Sequence, residues 1–192
     1  MTLLKTVITH VFGVLGRAFW PSLVIALLAS FFYLYCTDST DAGKGFWAAA
    51  RGWVRYVRTS SFFRKILALC FYTSVVLYST LIGRAFCANP LSYPMSGWRL
   101  WVVAADGSIS PVMSGLENVA MLMPFTFLLA WMYGERLTGA RGVASTLVWS
   151  AGVALAFSFC VEGLQFVLHL GTWQLADIVY NTLGGAAGGL LW

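Results

Sequence analysis

From Ala18 to Cys36 the chain carries no charged side chain, and comparable apolar stretches recur at Ile66–Ile82, Leu116–Tyr133, Gly142–Leu170 and Asp177–Trp192. A bilayer's hydrocarbon core is about 30 Å thick and takes about 20 apolar residues of helix to cross. No water is present there to satisfy the backbone, so a crossing segment must bond to itself, as a helix does. Composition agrees: 59% of the residues are hydrophobic and 10% are charged, against about 45–50% and about 25% in soluble domains. The sequence therefore predicts an all-α fold, a polytopic transmembrane helix bundle of about five spans.

Charge placement supplies an orientation. The net charge of +5 lies in segments that flank spans, where topology and anionic lipid favour it, so no nucleic-acid partner is expected. Lys44, Arg51, Arg55, Arg58, Arg64 and Lys65 are six of the twelve basic residues, and the positive-inside tendency places their loop, residues 37–65, in the cytoplasm. Within it Arg51, Arg55 and Arg58 recur at helical spacing, with Phe46, Trp47, Trp53, Val54 and Val57 on the remaining surface. That pattern predicts an amphipathic helix in the plane of the membrane surface, partnered by lipid headgroups. Residues 1–20 read as a further interfacial helix, feeding a first span entered through Trp20-Pro21. The chain after the loop then alternates. An exterior loop over Phe86–Gly115 contains a hairpin, Trp98–Ser110, turning near Asp106-Gly107. A short inside turn carries Arg136 and Arg141, and the C-terminus ends in the cytoplasm.

Cys36, Cys70, Cys87 and Cys160 are scattered and form no C-x-x-C pair. They read as free thiols in apolar surroundings, and neither a metal site nor a cofactor is expected. Lys5 and Arg17 interrupt the first apolar stretch, and no small-x-small site precedes polar sequence, so no cleavable leader is expected.

Under this topology, polar residues distant in sequence reach one depth. Arg84 closes an outward span, and Glu117 and Asn118 open the next. Glu162, Gln165 and His169 fall in the last turns of another outward span, at i, i+3 and i+7 and so on one face. Asp177 and Asn181 open the final span, and Gly185 and Gly189 continue their face at i+4 steps. Gly184 and Gly188 flank that face, and small residues four apart let membrane helices approach closely, within a chain or between copies in a homo-oligomer. Pro124, in mid-span, would kink its helix and free a carbonyl near the polar layer. One reading has these groups clasp one another, Glu162 or Asp177 with Arg84, to fix the bundle. Interhelical polar pairs return only about 0.6 kcal/mol on average. Two carboxylates at membrane depth cost more than that, which favours a functional site.

Glu162-Gly-Leu-Gln165, a short loop and Asp177-Ile-Val-Tyr-Asn181-Thr-Leu-Gly184-Gly-Ala-Ala-Gly188 resemble the C-terminal signature of VanZ-like membrane proteins. That signature runs E-x-x-Q, loop, R-x-x-D-x-x-D-x-x-x-N-x-x-G-x-x-x-G. Glu117-Asn118-Val-Ala-Met-Leu-Met-Pro124-Phe125 is similar to the family's N-x-x-x-F/L-x-P element, and Tyr78-Ser-Thr80-Leu-Ile-Gly-Arg84 to the end of its first span. The resemblance covers about residues 66–192 and divides the chain into an N-terminal membrane segment, 1–65, and a VanZ-like four-helix core, 66–192. Three positions depart from the pattern. Gly171 occupies the loop arginine's place, Gln174 that of the first aspartate, and Thr126 that of the glycine after the proline. Arg84 or Arg99 would then have to supply the missing charge.

The resemblance implies a protein of the bacterial cell envelope, in the plasma membrane, with a role in resistance to the glycopeptide antibiotic teicoplanin. It gives no reaction. The reading carried forward is a non-enzymatic protein whose outer-leaflet polar pocket binds an amphiphile or a lipoglycopeptide. The pocket residues would be Arg84, Glu117, Asn118, Glu162, Gln165, His169, Asp177 and Asn181. An intramembrane hydrolase or transferase using Glu162 and Asp177 is one alternative, although no G-x-S-x-G nucleophile and no paired histidine accompanies them. A small proton-coupled transporter is the other.

Overall fold

A computed structural model describes residues 2–37, 45–82, 84–103, 105–107, 109–138 and 142–192. Residues 38–44, with Lys44, and residues 139–141, with Arg141, lie outside that description, as does the side chain of Arg136. Among the described residues, six helices and a hairpin follow in order: α1 Thr2–Thr37, α2 Phe46–Thr59, α3 Ser61–Leu81, β1 Trp101–Val103, β2 Ile109–Pro111, α4 Met113–Thr138, α5 Gly142–Leu168 and α6 Leu175–Leu190. The protein is an all-α membrane bundle. Helical stretches Gly16–Thr37, Ser61–Leu81, Met113–Tyr133 and Gly142–Leu168 are long and apolar enough to cross a bilayer. The fifth apolar helix, α6, has 16 residues, about 24 Å at 1.5 Å per residue, and so falls short of a full hydrocarbon core. Large apolar side chains such as Val148, Phe159, Val167 and Leu183 face outward. A soluble surface rarely tolerates such coverage, whereas acyl chains are its natural neighbour.

The first span stands where the sequence places it, within Gly16–Thr37, but Pro21 does not open it: a single 36-residue helix runs through that proline. Proline removes one backbone donor, and membrane helices absorb that loss where neighbours and local adjustment re-satisfy the freed group.

Ser60 is the hinge between α2 and α3. It ends α2 by donating its N–H to the Tyr56 carbonyl, and its hydroxyl then accepts from the Phe63 N–H at 3.2 Å to start α3. The amphipathic helix is real: Ala49 and Gly52 are buried, while Arg51, Arg55 and Arg58 are exposed. Trp53 ties it to α1 by donating to the Ser30 hydroxyl at 3.1 Å. Beneath it Leu34, Phe63 and Ile66 form a small apolar core.

The hairpin turns through Asp106-Gly107 with Trp101 opposite Pro111 and Val103 opposite Ile109, and Gly107 takes the positive φ of 77° that the turn requires. It lies at the end of the bundle where α3 and α5 finish and α4 and α6 begin. The main core, Val76, Leu122, Phe125 and Ala154, lies below that end.

Candidate functional site

The site is built by how α6 seats between α4 and α5. Along α5, Thr146, Ser150, Ala154, Ser158 and Glu162 are all buried, a row at every fourth residue. Along antiparallel α6 the matching row is Gly189, Gly185, Asn181 and Asp177. The rows meet rung by rung. A Cβ at Gly189 would strike the Ser150 side chain, and one at Gly185 would strike the Ala154 methyl. One rung up, Asn181 Nδ2 donates to Ser158 Oγ at 2.9 Å. One further up, the charge of Asp177 acts on Glu162. On the other side, α4 and α6 run parallel. Gly184 packs on the Val119 backbone and Gly188 on the Met123 backbone, so neither position has room for a Cβ. The glycine faces are thus occupied within the chain.

This seating places polar groups at one end, as the sequence predicts for most of them. Glu162 and Gln165 are each 3% exposed, Asn181 6% and Asn118 8%. Asn118 Nδ2 donates to Asp177 Oδ1 at 2.6 Å, joining the tops of α4 and α6. Gln165 Nε2 donates at 2.7 Å to the Thr80 carbonyl near the end of α3. The Gln174 backbone N–H, just before α6 begins, acts on the Glu162 carboxylate. Ser158 is a partner that the sequence reading did not name, and Thr80 and Gln174 were named there only as positions of the family pattern. Ser158 could have been found from its place four residues before Glu162 in a row of small residues.

Arg84 is exposed at the rim, and its positive charge acts on both carboxylates. Gly171 lies beside it, since a Cβ there would be 3.4 Å from Arg84 Nη1. The guanidinium therefore stands next to the very position where the sequence lacks an arginine. The exterior loop covers this end: Trp173 N–H donates to the Pro90 carbonyl at 2.8 Å, Leu175 N–H to Pro94 at 3.0 Å, and Tyr180 Oη to the Trp98 carbonyl at 2.7 Å.

Two predicted members are less buried than Asn118, Glu162, Gln165 and Asn181. His169 is exposed, stacks on Phe86 with centroids 5.7 Å apart, and has Nδ1 3.1 Å from the Cys87 carbonyl. Helix α5 ends at Leu168 and His169 adopts φ 56°, so helical spacing no longer governs where its ring goes. Glu117 is half-buried while Asn118 is buried. Adjacent residues on a helix point about 100° apart, and Asn118 is the one bonded to Asp177.

Pro124 lies within α4 as predicted, and in the turn it disturbs the Tyr72 hydroxyl donates to the Met121 carbonyl at 2.9 Å. Thr126, in place of a glycine, donates to the Gly185 carbonyl at 2.8 Å and so adds a bond between α4 and α6. At the opposite end of the bundle, a cavity of about 290 Å³ between α1, α2 and α3 is lined by Tyr33, Leu34, Tyr56 and Phe63 and holds none of the candidate polar groups. Among the described residues, no group of three or more His, Cys, Asp or Glu is placed to hold a metal ion.

The family model described as VanZ/LLP1 matches residues 79–192. The chain belongs to the VanZ/LLP1 family. The VanZ/LLP1 match opens at Ser79, beside the Thr80 carbonyl that holds Gln165, and takes in the hairpin and α4 to α6. All the polar groups of the site fall within it, and α1, α2 and most of α3 precede it. No curated protein and no solved structure matches the chain.

Proposed function

We propose that this VanZ-like membrane protein is a non-enzymatic envelope component that receives the headgroup of an amphiphile, or a lipoglycopeptide, between the ends of α3, α4, α5 and α6. The observation that carries this reading is the burial of Asn118, Glu162, Gln165 and Asn181 around Asp177 at a single end of the bundle. An acidic side chain at membrane depth costs about 2.5–3.5 kcal/mol on insertion scales, while an interhelical polar contact returns about 0.6. A pure clasp would be better served by neutral residues. On this reading the polar end faces the outer leaflet of a bacterial plasma membrane, because the basic residues of 37–65 favour the cytoplasm. The site would then meet teicoplanin-type lipoglycopeptides from outside and contribute to resistance.

The test has two arms. Cysteine is placed singly at Glu162, Gln165, Asp177 and Asn181 in a background lacking the four native cysteines, and an impermeant thiol reagent is applied to intact cells. Labelling at all four positions is expected. Glu162→Ala and Asp177→Ala should alter teicoplanin susceptibility at normal protein level. Absence of labelling in folded protein, with unchanged susceptibility, would reduce the cluster to a dry clasp.

A further inference from the structure

Donors and acceptors at the site do not balance. Each amide spends its NH₂ on a neighbour: Asn118 on Asp177, Asn181 on Ser158, Gln165 on the Thr80 carbonyl. Among the amide and carboxylate groups, what remains buried and unpartnered is oxygen: Glu162 Oε2, Gln165 Oε1 and Asn181 Oδ1. All three belong to side chains more than nine-tenths buried. Helical side chains lean toward their own N-terminus. In antiparallel helices Gln165 therefore leans down α5 and Asn181 leans up α6, both toward the rung of Glu162 and Asp177. The interior of the site is a wall of acceptors with an acid at its centre. Its rim carries the opposite chemistry, because Arg84 is donor-only and exposed.

We propose that the site is specific for a primary ammonium carried next to an anionic phosphate, as in a phosphoethanolamine headgroup. An ammonium has three N–H donors and no acceptor, which suits three free oxygens, one of them on a carboxylate. Its phosphate would meet the guanidinium of Arg84, a fork that matches phosphate geometry. A quaternary ammonium carries the same charge without an N–H, and leaves the three oxygens without partners. A neutral polyol brings acceptors as well as donors and gives the carboxylate no counter-charge. The inference rests on the headgroup-binding reading above and narrows it to one class.

The N-methylation series separates the two. Short-chain phosphatidylethanolamine, its N,N-dimethyl derivative and phosphatidylcholine are titrated into the full-length, detergent-solubilised protein by calorimetry. Free phosphoethanolamine serves as a lipid-free arm. Affinity should fall at least about tenfold from primary to quaternary ammonium, since each charged hydrogen bond lost is a large fraction of that change. Glu162→Gln keeps the shape but adds a donor and removes the charge, and should abolish the preference. Arg84→Ala should weaken all three lipids alike and leave the preference intact. Should Glu162→Gln fail to insert, Gln165→Met removes another of the three acceptors and should also lower the primary-amine preference. Free phosphoethanolamine binding as tightly as the lipid would identify a soluble ligand of the same chemistry, and weaker binding would identify a lipid. Equal, Glu162-dependent binding of the primary and quaternary lipids would overturn the ammonium inference and leave the amphiphile site standing. Absence of binding by every amphiphile would remove both.

Discussion

Gly185→Ala tests the register that places Asp177 opposite Glu162. The new methyl would strike the Ala154 methyl, with Thr126 Cγ2 at 3.3 Å and the Ser150 carbonyl oxygen at 3.4 Å closing the other sides. Nothing there is a flexible side-chain end, so α6 must move off α5. That movement strains the 2.9 Å Asn181–Ser158 bond and the 2.8 Å bond from Thr126 to the Gly185 carbonyl. Overpacking costs about 1–3 kcal/mol and each weakened hydrogen bond about 1, while replacing glycine in a helix returns about 0.5–1. The expected net loss is about 2–4 kcal/mol, or about 2–4 °C of melting temperature per kcal/mol for a chain of this length.

The decisive step is the compensating change. Ala154→Gly alone removes a buried methyl and adds a helical glycine, a loss of about 2 kcal/mol. With Gly185→Ala it moves the methyl from one helix to the other, so the double variant should lose clearly less than the sum of the two single losses, with a coupling energy of about 1–3 kcal/mol. Gly184→Ala and Gly188→Ala meet backbone of α4 instead. No side-chain trim can relieve them, and they should lose more. Gly152 and Gly163 face open space, and alanine there should be neutral or stabilising. Thermal melting in detergent, with reversible unfolding in sodium dodecyl sulfate for the free energies, reads all seven variants. A Gly185→Ala protein that melts like the parent, or an Ala154→Gly change that gives no rescue, would refute the register.

Tyr180→Phe removes the bond to the Trp98 carbonyl and should lower stability by about 1 kcal/mol, with faster amide exchange in the hairpin segment 98–112 and little change in α5. Asn118→Leu leaves Asp177 without its 2.6 Å donor; a loss of about 1–3 kcal/mol in the same melt is expected, and Asn118→Asp should be worse because it sets two carboxylates face to face. Replacing Arg51, Arg55 and Arg58 by glutamine should weaken α2's attachment to anionic vesicles by about 1 kcal/mol per charge. The effect should shrink as salt rises, and salt-independent flotation of parent and variant alike would count against a lipid-facing role.

Most of the bundle was legible because apolar length and charge placement are one-dimensional signals. The hairpin was legible because Asp106-Gly107 has few other uses. The departures share a cause: each lies at a point where the sequence does not say whether a helix continues. At Pro21 it continued, because proline costs one donor and its neighbours can absorb that. At His169 it stopped one residue early, at Leu168, and the i+7 relation to Glu162 lost its meaning. Partner choice was harder still. Ser150, Ala154 and Ser158 look unremarkable in an apolar helix, and only the opposing row of Gly189, Gly185 and Asn181 gives them a role. Pairing of that kind belongs to two helices at once, and neither one displays it alone.

The two rows also explain why the glycines and the acids belong to one design. A row of four-residue steps on each of two antiparallel helices can match in only a few registers, and a shift by one step would set Gly185 against Ser150 and Asn181 against Ala154. The glycines exclude that shift, because they fit where Ser150 and Ala154 bring bulk and leave no gap for a larger group. They therefore fix the height of Asp177 beside Glu162 from well below it. The polar rung lies at the end of the contact, where the chain leaves α5 and turns through Gly171 past Arg84 before entering α6. A chain that needed only to hold the bundle together could have continued with small residues through that last rung. Here it changes to a carboxylate on each helix, at the one level where an arginine stands at the rim and the loop peptides can donate. Small residues set the position, and the acidic ones are held there against whatever that position admits.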